Sequence, residues 1–263
     1  MSDLLLTEQH GRVVRLVLNR PEKRNALNSA LCRDLVDALS RAGRDPGVGA
    51  IVLAGAGECF CAGMDIREVQ EIRPESIGTL HEQLFTIALR MPTPIVAEVN
   101  GPAYGGGVGL VANCHVVIAS EAARFGLTEI RLGLWPFLVF RAVSSALGER
   151  RAIELALTGR IFDAREAKEM SLVHEIAQDA PRRAMEVAQQ LGEASPSAIR
   201  SGLNFVQEAR GQNWETAGLI ARRVRDEIFR TGDFQEGIRA FREKRKPKWP
   251  SLEDQPAKPA DKS

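Results

Sequence analysis

Three adjacent glycines, Gly105-Gly106-Gly107, close the most constraining stretch of this chain, IVAEVNGPAYGGGVGL from Ile95 to Leu110. Ile95, Val96, Ala97 and Val99 read as a buried strand, and Asn100-Gly101-Pro102 turns the chain. Glycine loses more backbone freedom on folding than any other residue, so such a run persists mainly where a side chain would obstruct something. With Gly107 onward helical, the free amides around Gly106 lie at the positive end of a helix dipole, which suits an anion or a developing oxyanion. A turn that only lets backbones pack closely explains the stretch equally well. Glu98, between Ala97 and Val99, reads as structural, paired or facing solvent at the sheet end.

A chain of 263 residues allows one large α/β domain, or a core with a smaller helical appendage. Its formal net charge of +1 supplies no field for nucleic acid or a membrane surface, so neither is expected as a partner. No N-terminal apolar run is long enough for a signal peptide, and no stretch approaches a membrane span. Cys59 and Cys61 have a C-x-C spacing without a companion Cys/His pair, so no metal site is expected. With Cys32 and Cys114 they read as free thiols in a reducing cytoplasm.

Leu4 to Thr7 and Val13 to Leu18 read as strands joined at His10-Gly11, and Arg20 to Asn25 as a polar loop. Asn28 or Ser29 caps a helix carrying Leu31, Leu35, Val36 and Leu39 at helical spacing. A buried strand follows at Ala50 to Leu53, then the segment CFCAGMDIREV and a helix from about Glu75 to Arg90. Beyond the glycines, Val108 to Asn113 is a helix, Val116 to Ala119 a strand and Arg124-Phe125 a further short strand. From Pro136 the pattern is helical, with segments near 138–147, 149–157, 163–170, 181–192, 197–210, 213–230 and 234–244. The expected division is a core over 1–195, helices over 196–248 and a disordered tail over 249–263. Nicotinamide binding is disfavoured: Leu110 stands at the third glycine of G-x-G-x-x-G, and Glu129 only superficially imitates the ribose-binding acid.

Six stretches in order resemble the crotonase (enoyl-CoA hydratase/isomerase) family. They are NRPEKRNALN from Asn19, GAGECFCAGMDIREV from Gly55, PTPIVAEVNGPAYGGGVGLVANC from Pro92, ARFGLTEIRLGL from Ala123, LTGRIFDAREAKEMSLVHEI from Leu157 and GDFQEGIRAFREKRKP from Gly232. The resemblance implies an α/β fold, a spiral of ββα turns with a C-terminal helical trimerisation region, assembled as a homotrimer or dimer of trimers. It implies an acyl-CoA substrate whose thioester oxygen lies between the amides of Met64 and Gly106, where an enolate would be stabilised. The side chain of Met64 then shapes the pocket while its amide does the chemistry. The backbone around Ala62, Asp65 and Ile66 resembles the family's adenine and pantetheine contacts, and the resemblance also places Arg67 and Gly105 among the substrate- and CoA-binding residues. Lys23, Arg24, Ala26 and Leu27 match a loop along CoA, and Phe241 and Lys244 a helix that closes over the nucleotide, often from a neighbouring subunit. No separate cofactor is implied, because CoA arrives with the substrate.

Hydratases of the family usually carry two glutamates, and this chain has Gly109 at the first position and Glu129 at the second. Glu129, in an apolar pocket, is the expected proton carrier at the alpha carbon. Its structural alternative is an acid at a turn capped by Thr128. Tyr104 is a candidate hydrogen-bond donor in the pocket, and Glu68 a candidate second acid. Trp135 to Phe140, WPFLVF, replaces a Gly-rich family loop and should reshape the acyl pocket. His115 is expected to be a hydrogen-bonded structural residue, and Ser171 to carry slight strain where a glycine often ends a helix. The expected activity is that of an enoyl-CoA hydratase/isomerase-family enzyme, a hydratase or an isomerase, acting on unsaturated acyl-CoA thioesters in fatty-acid or branched acyl-CoA breakdown. The alternatives are a 3-enoyl to 2-enoyl-CoA isomerase using Glu129 alone, or a catalytically weak CoA-binding homologue.

Overall fold

The run Ala50–Gly55 is buried along its whole length, as the central strand of a parallel sheet covered on both faces must be. A computed structural model of the chain describes residues 3–71 and 74–253. In order, the elements are β1 (Leu5–His10), β2 (Val13–Leu18), α1 (Ser29–Arg44), β3 (Ala50–Gly55), α2 (Ile66–Glu71), α3 (Pro74–Ile87), β4 (Ile95–Val99), β5 (Ala103–Tyr104) and α4 (Gly106–Asn113). They continue with β6 (Val116–Ala119), β7 (Arg124–Gly126), α5 (Phe137–Leu147), α6 (Glu149–Thr158), β8 (Phe162–Asp163), α7 (Ala164–Glu169) and β9 (Glu175–Ile176). Last come α8 (Ala180–Glu193), α9 (Pro196–Ala209), α10 (Trp214–Ile228), α11 (Gly232–Glu243) and α12 (Pro250–Glu253).

The larger sheet has the order β1-β2-β3-β4-β6-β9, antiparallel only between β1 and β2. One face packs on α8, whose Ala180, Ala184 and Ala188 recur every fourth residue and meet Val13, Val52, Val96 and Ile118. The other faces the main core, which includes Leu31, Leu35 and Leu39 of α1 and Leu84, Phe85 and Ala88 from α3 and the turn after it. A smaller sheet, β5-β7-β8, holds the chain on either side of the glycine run.

Buried Glu98 is paired: Arg15 of β2 reaches over β3 and donates Nε and Nη2 to its carboxylate at 3.0 and 2.9 Å. Asn28, and not Ser29, caps α1, accepting from the Leu31 amide. His115 accepts from the Ile95 amide through Nδ1, as a structural histidine should, and Ser171 has φ +68°. The ordered chain extends past the expected start of the tail. The Trp249 indole donates to the Glu193 carbonyl, Ser251 bonds Asp233, and Pro250–Glu253 is helical. Positions 254–263 lie outside the described residues.

Candidate active site

Residues far apart in sequence reach the glycine run through one laced segment. The bridge Cys61↔Ala103 ties residues 61–65 to β5, with the Tyr104 amide donating to the Cys61 carbonyl. On its other side Leu27↔Met64 is a parallel bridge, made by the Leu27 amide to the Gly63 carbonyl and the Asp65 amide to the Leu27 carbonyl. A parallel bridge of this register uses the groups flanking Met64 and leaves the Met64 amide turned away from Leu27. Gly106 opens α4, where an amide has no partner one turn earlier. Both residues line the same cavity.

Two glycines make that approach possible. Gly105 has φ +51°, and a Cβ on it would stand 2.8 Å from Oε1 of Glu129. A Cβ on Gly107 would lie 2.3 Å from the Cys61 carbonyl oxygen. The run is therefore a close-packed turn as well as the start of a helix.

The cavity measures about 220 Å3. Predicted residues that line it are Leu27, Ala62, Met64, Ile66, Gly105, Gly106, Glu129 and Trp135. Among its described lining residues the hydrogen-bonding side chains are His81, Thr128, Glu129 and Trp135, and the rest are largely apolar. Glu129 lies in the 3-10 turn Thr128–Leu132, its Oε2 buried without a hydrogen-bond partner. Burial pushes its carboxyl above the ordinary value of 4.5, while contact with its own backbone amide pulls the other way. Thr128 does not cap this turn.

Several candidates lie elsewhere. Glu68, the candidate second acid, is absent from the cavity lining, and its Oε2 accepts from the Ser29 amide at 2.7 Å, at the start of α1. Tyr104 does not line the cavity, because β5 is held between Cys61 and β7. Gly109 does not line it either. A Cβ there would fall 2.3 Å from Cγ1 of Val139 and 3.0 Å from the Phe85 ring, so the place of the family's first acid is filled by α5 and α3. The WPFLVF segment supplies that wall, with Trp135, Pro136, Phe137, Leu138 and Val139 all lining the cavity.

The remaining predicted residues lie outside the cavity. Asp65 pairs with Arg20 at 2.9 Å, and Arg20 also donates to the Ala26 carbonyl, fastening the Arg20–Leu27 loop to the cavity rim. Lys23, Arg24 and Arg67 are exposed on these two joined segments. Phe241, 86% exposed, and Lys244 lie at the end of α11, apart from the cavity within one chain. Sequence reasoning missed His81 and Phe85. The available signal was a histidine sharing the helical face of Leu84, Phe85 and Ala88. No cluster of three or more metal-ligating side chains occurs among the described residues.

The family model for enoyl-CoA hydratase/isomerase matches residues 8–252. Enoyl-CoA hydratase EchA19 of Mycobacterium tuberculosis is 32% identical over 92% of this chain and 94% of its own. Hydroxycinnamoyl-CoA hydratase-lyase of Pseudomonas fluorescens is 37% identical over 76% of each. A crystal structure of an enoyl-CoA hydratase from Bacillus anthracis superposes with a TM-score of 0.89 at 30% identity, covering 94% of this chain and 98% of the other.

Proposed function

The chain belongs to the enoyl-CoA hydratase/isomerase family, and on that premise we propose that it hydrates 2-enoyl-CoA thioesters through an enolate held by the Met64 and Gly106 amides. The observation that carries this reading is Glu129, a half-buried residue whose Oε2 is buried without a partner, set against Gly105 in the cavity these amides border. As water adds, its oxygen bonds the beta carbon and the double-bond electrons move to the thioester oxygen. Glu129 delivers its proton to the alpha carbon and is reprotonated by the proton that water gives up. Its raised affinity for a proton suits this cycling. Two fixed amides aimed at the developing oxyanion supply the electrostatic part of the acceleration.

A second reading rests on the filled site at Gly109. One carboxylate is enough to move a proton from the alpha to the gamma carbon, converting a 3-enoyl into a 2-enoyl thioester. Crotonyl-CoA hydration and 3-hexenoyl-CoA isomerisation, assayed side by side, separate the two. Glu129→Gln should lower either activity by about 10²–10⁴-fold while CoA binding is kept. Wild-type turnover of neither substrate with CoA still bound would favour a catalytically weak CoA-binding homologue.

Exposed Lys23, Arg24 and Arg67 are suited to the phosphates of CoA, and no further cofactor is required. Phe241 and Lys244 would complete the nucleotide site of a neighbouring copy in a homotrimer or dimer of trimers. The free thiols Cys32, Cys59, Cys61 and Cys114 support a reducing cytoplasm as the place of work. Fatty-acid or branched acyl-CoA breakdown is the setting such a reaction fits.

A further inference from the structure

We propose that His81 hydrogen-bonds a hydroxyl group far along the acyl chain, so that the preferred substrates are thioesters whose otherwise apolar acyl group carries one uncharged hydroxyl. This deepens the reading above and rests on the cavity receiving the acyl group. The His81 side chain lines the cavity, the residue is 6% exposed, and Nε2 is buried without a hydrogen-bond partner. Buried polar atoms are nearly always paired, so an unpaired one in a ligand cavity marks where a ligand's polar atom belongs.

Its place along the cavity sets where that atom lies. The Phe85 ring would stand 3.3 Å from a Cβ on Gly106, beside the oxyanion amides. His81 is one helical turn before Phe85 on α3, with the ring centroids 6.3 Å apart. The imidazole thus meets the acyl group several bonds beyond the thioester carbonyl, not at the reacting carbons. A cavity of about 220 Å3 exceeds the roughly 150 Å3 that holds a benzene molecule, leaving room for a ring or an equivalent alkyl chain.

The chemistry selects a hydroxyl. It both donates and accepts, so it satisfies Nε2 in either tautomer of the ring. Burial lowers the basicity of His81, with the charge of Glu68 opposing, so the ring is held toward its neutral form. A carboxylate would have to leave water for an apolar wall and a neutral partner, at a large desolvation cost. A plain alkyl chain would instead leave Nε2 unpaired, and sites of this kind discriminate strongly against the analogue that lacks the polar group.

Saturated thioesters test this independently of catalysis, since they have no double bond to hydrate. Calorimetry would compare hexanoyl-CoA with 6-hydroxyhexanoyl-CoA, and 3-phenylpropanoyl-CoA with 3-(4-hydroxyphenyl)propanoyl-CoA. The wild type should bind the hydroxylated member of at least one pair about tenfold tighter, the scale of one buried hydrogen bond made or left unmade. His81→Leu should bring that ratio close to one, and His81→Gln, which keeps a donor and an acceptor, should retain most of it. Equal binding within both pairs by the wild type, or a preference that survives His81→Leu, overturns the inference. Failure of the wild type to hydrate or isomerise enoyl thioesters would overturn the catalytic reading alone, because the binding ratios do not depend on turnover.

Discussion

At single residues, the site departs from local rules where chemistry or packing demands it. A Gly→Ala change inside a helix ordinarily gains roughly 0.5–1 kcal/mol. At Gly109 in α4 the sign should reverse, because the new methyl would collide with Val139. Gly109→Ala should cost about 1–3 kcal/mol by overpacking, read from urea midpoints at constant slope. Combined with Val139→Ala, the loss should be smaller than the sum of the two single losses, since the residues share one space. Glu129 gives the second case. Its carboxyl is held above the ordinary value of 4.5, so between that value and its raised one the folded chain binds more protons than the unfolded chain. Stability contributed by this group is therefore full at low pH and falls as pH rises through the window. Glu129→Gln should be the more stable protein at neutral pH, and the difference should vanish below about pH 4; paired urea melts across that range would check it.

At the scale of elements, the sheet depends on one ion pair across three strands. Glu98 is 3% exposed in β4, and Arg15 of β2 meets it with two hydrogen bonds. Arg15→Met leaves a carboxylate buried without its partner and should cost about 3 kcal/mol. The double change with Glu98→Gln should recover much of that, because the charge has gone. Denaturant melts of the three variants measure both terms. Most of the helices were legible in the sequence from their apolar spacing, and six of them also carry local caps. Asn28, Asp163, Asp179, Ser195, Asn213 and Thr231 each accept from an amide in the first turn that follows. The short strands β5, β8 and β9 were not, since two residues carry no periodicity and are defined only by what they pair with.

Across the whole molecule, α9 and α10 pack on each other yet bury no residue in a single chain. Trp214 is 96% exposed and Phe241 86%. Apolar surface of this kind is usually covered by another protein, and a homo-oligomer is the simplest cover. Sedimentation should show three or six copies. Phe241→Ala should raise KM for acyl-CoA by roughly tenfold, a loss of about 1.4 kcal/mol, with kcat unchanged, as for a group that binds ground and transition states equally. By itself, the sequence determined the crotonase fold class, the strand-to-helix turn at the glycines and the carboxyl of Glu129. These rest on local periodicity, on backbone constraints and on motifs continuous in the chain. Only the tertiary structure assigned Glu68 to a helix start and filled the place beside Gly109 with Val139. It alone left the nitrogen of His81 unpaired in the cavity. Each of those outcomes depends on which side chains from distant segments share a space, and spacing along the chain carries no record of that.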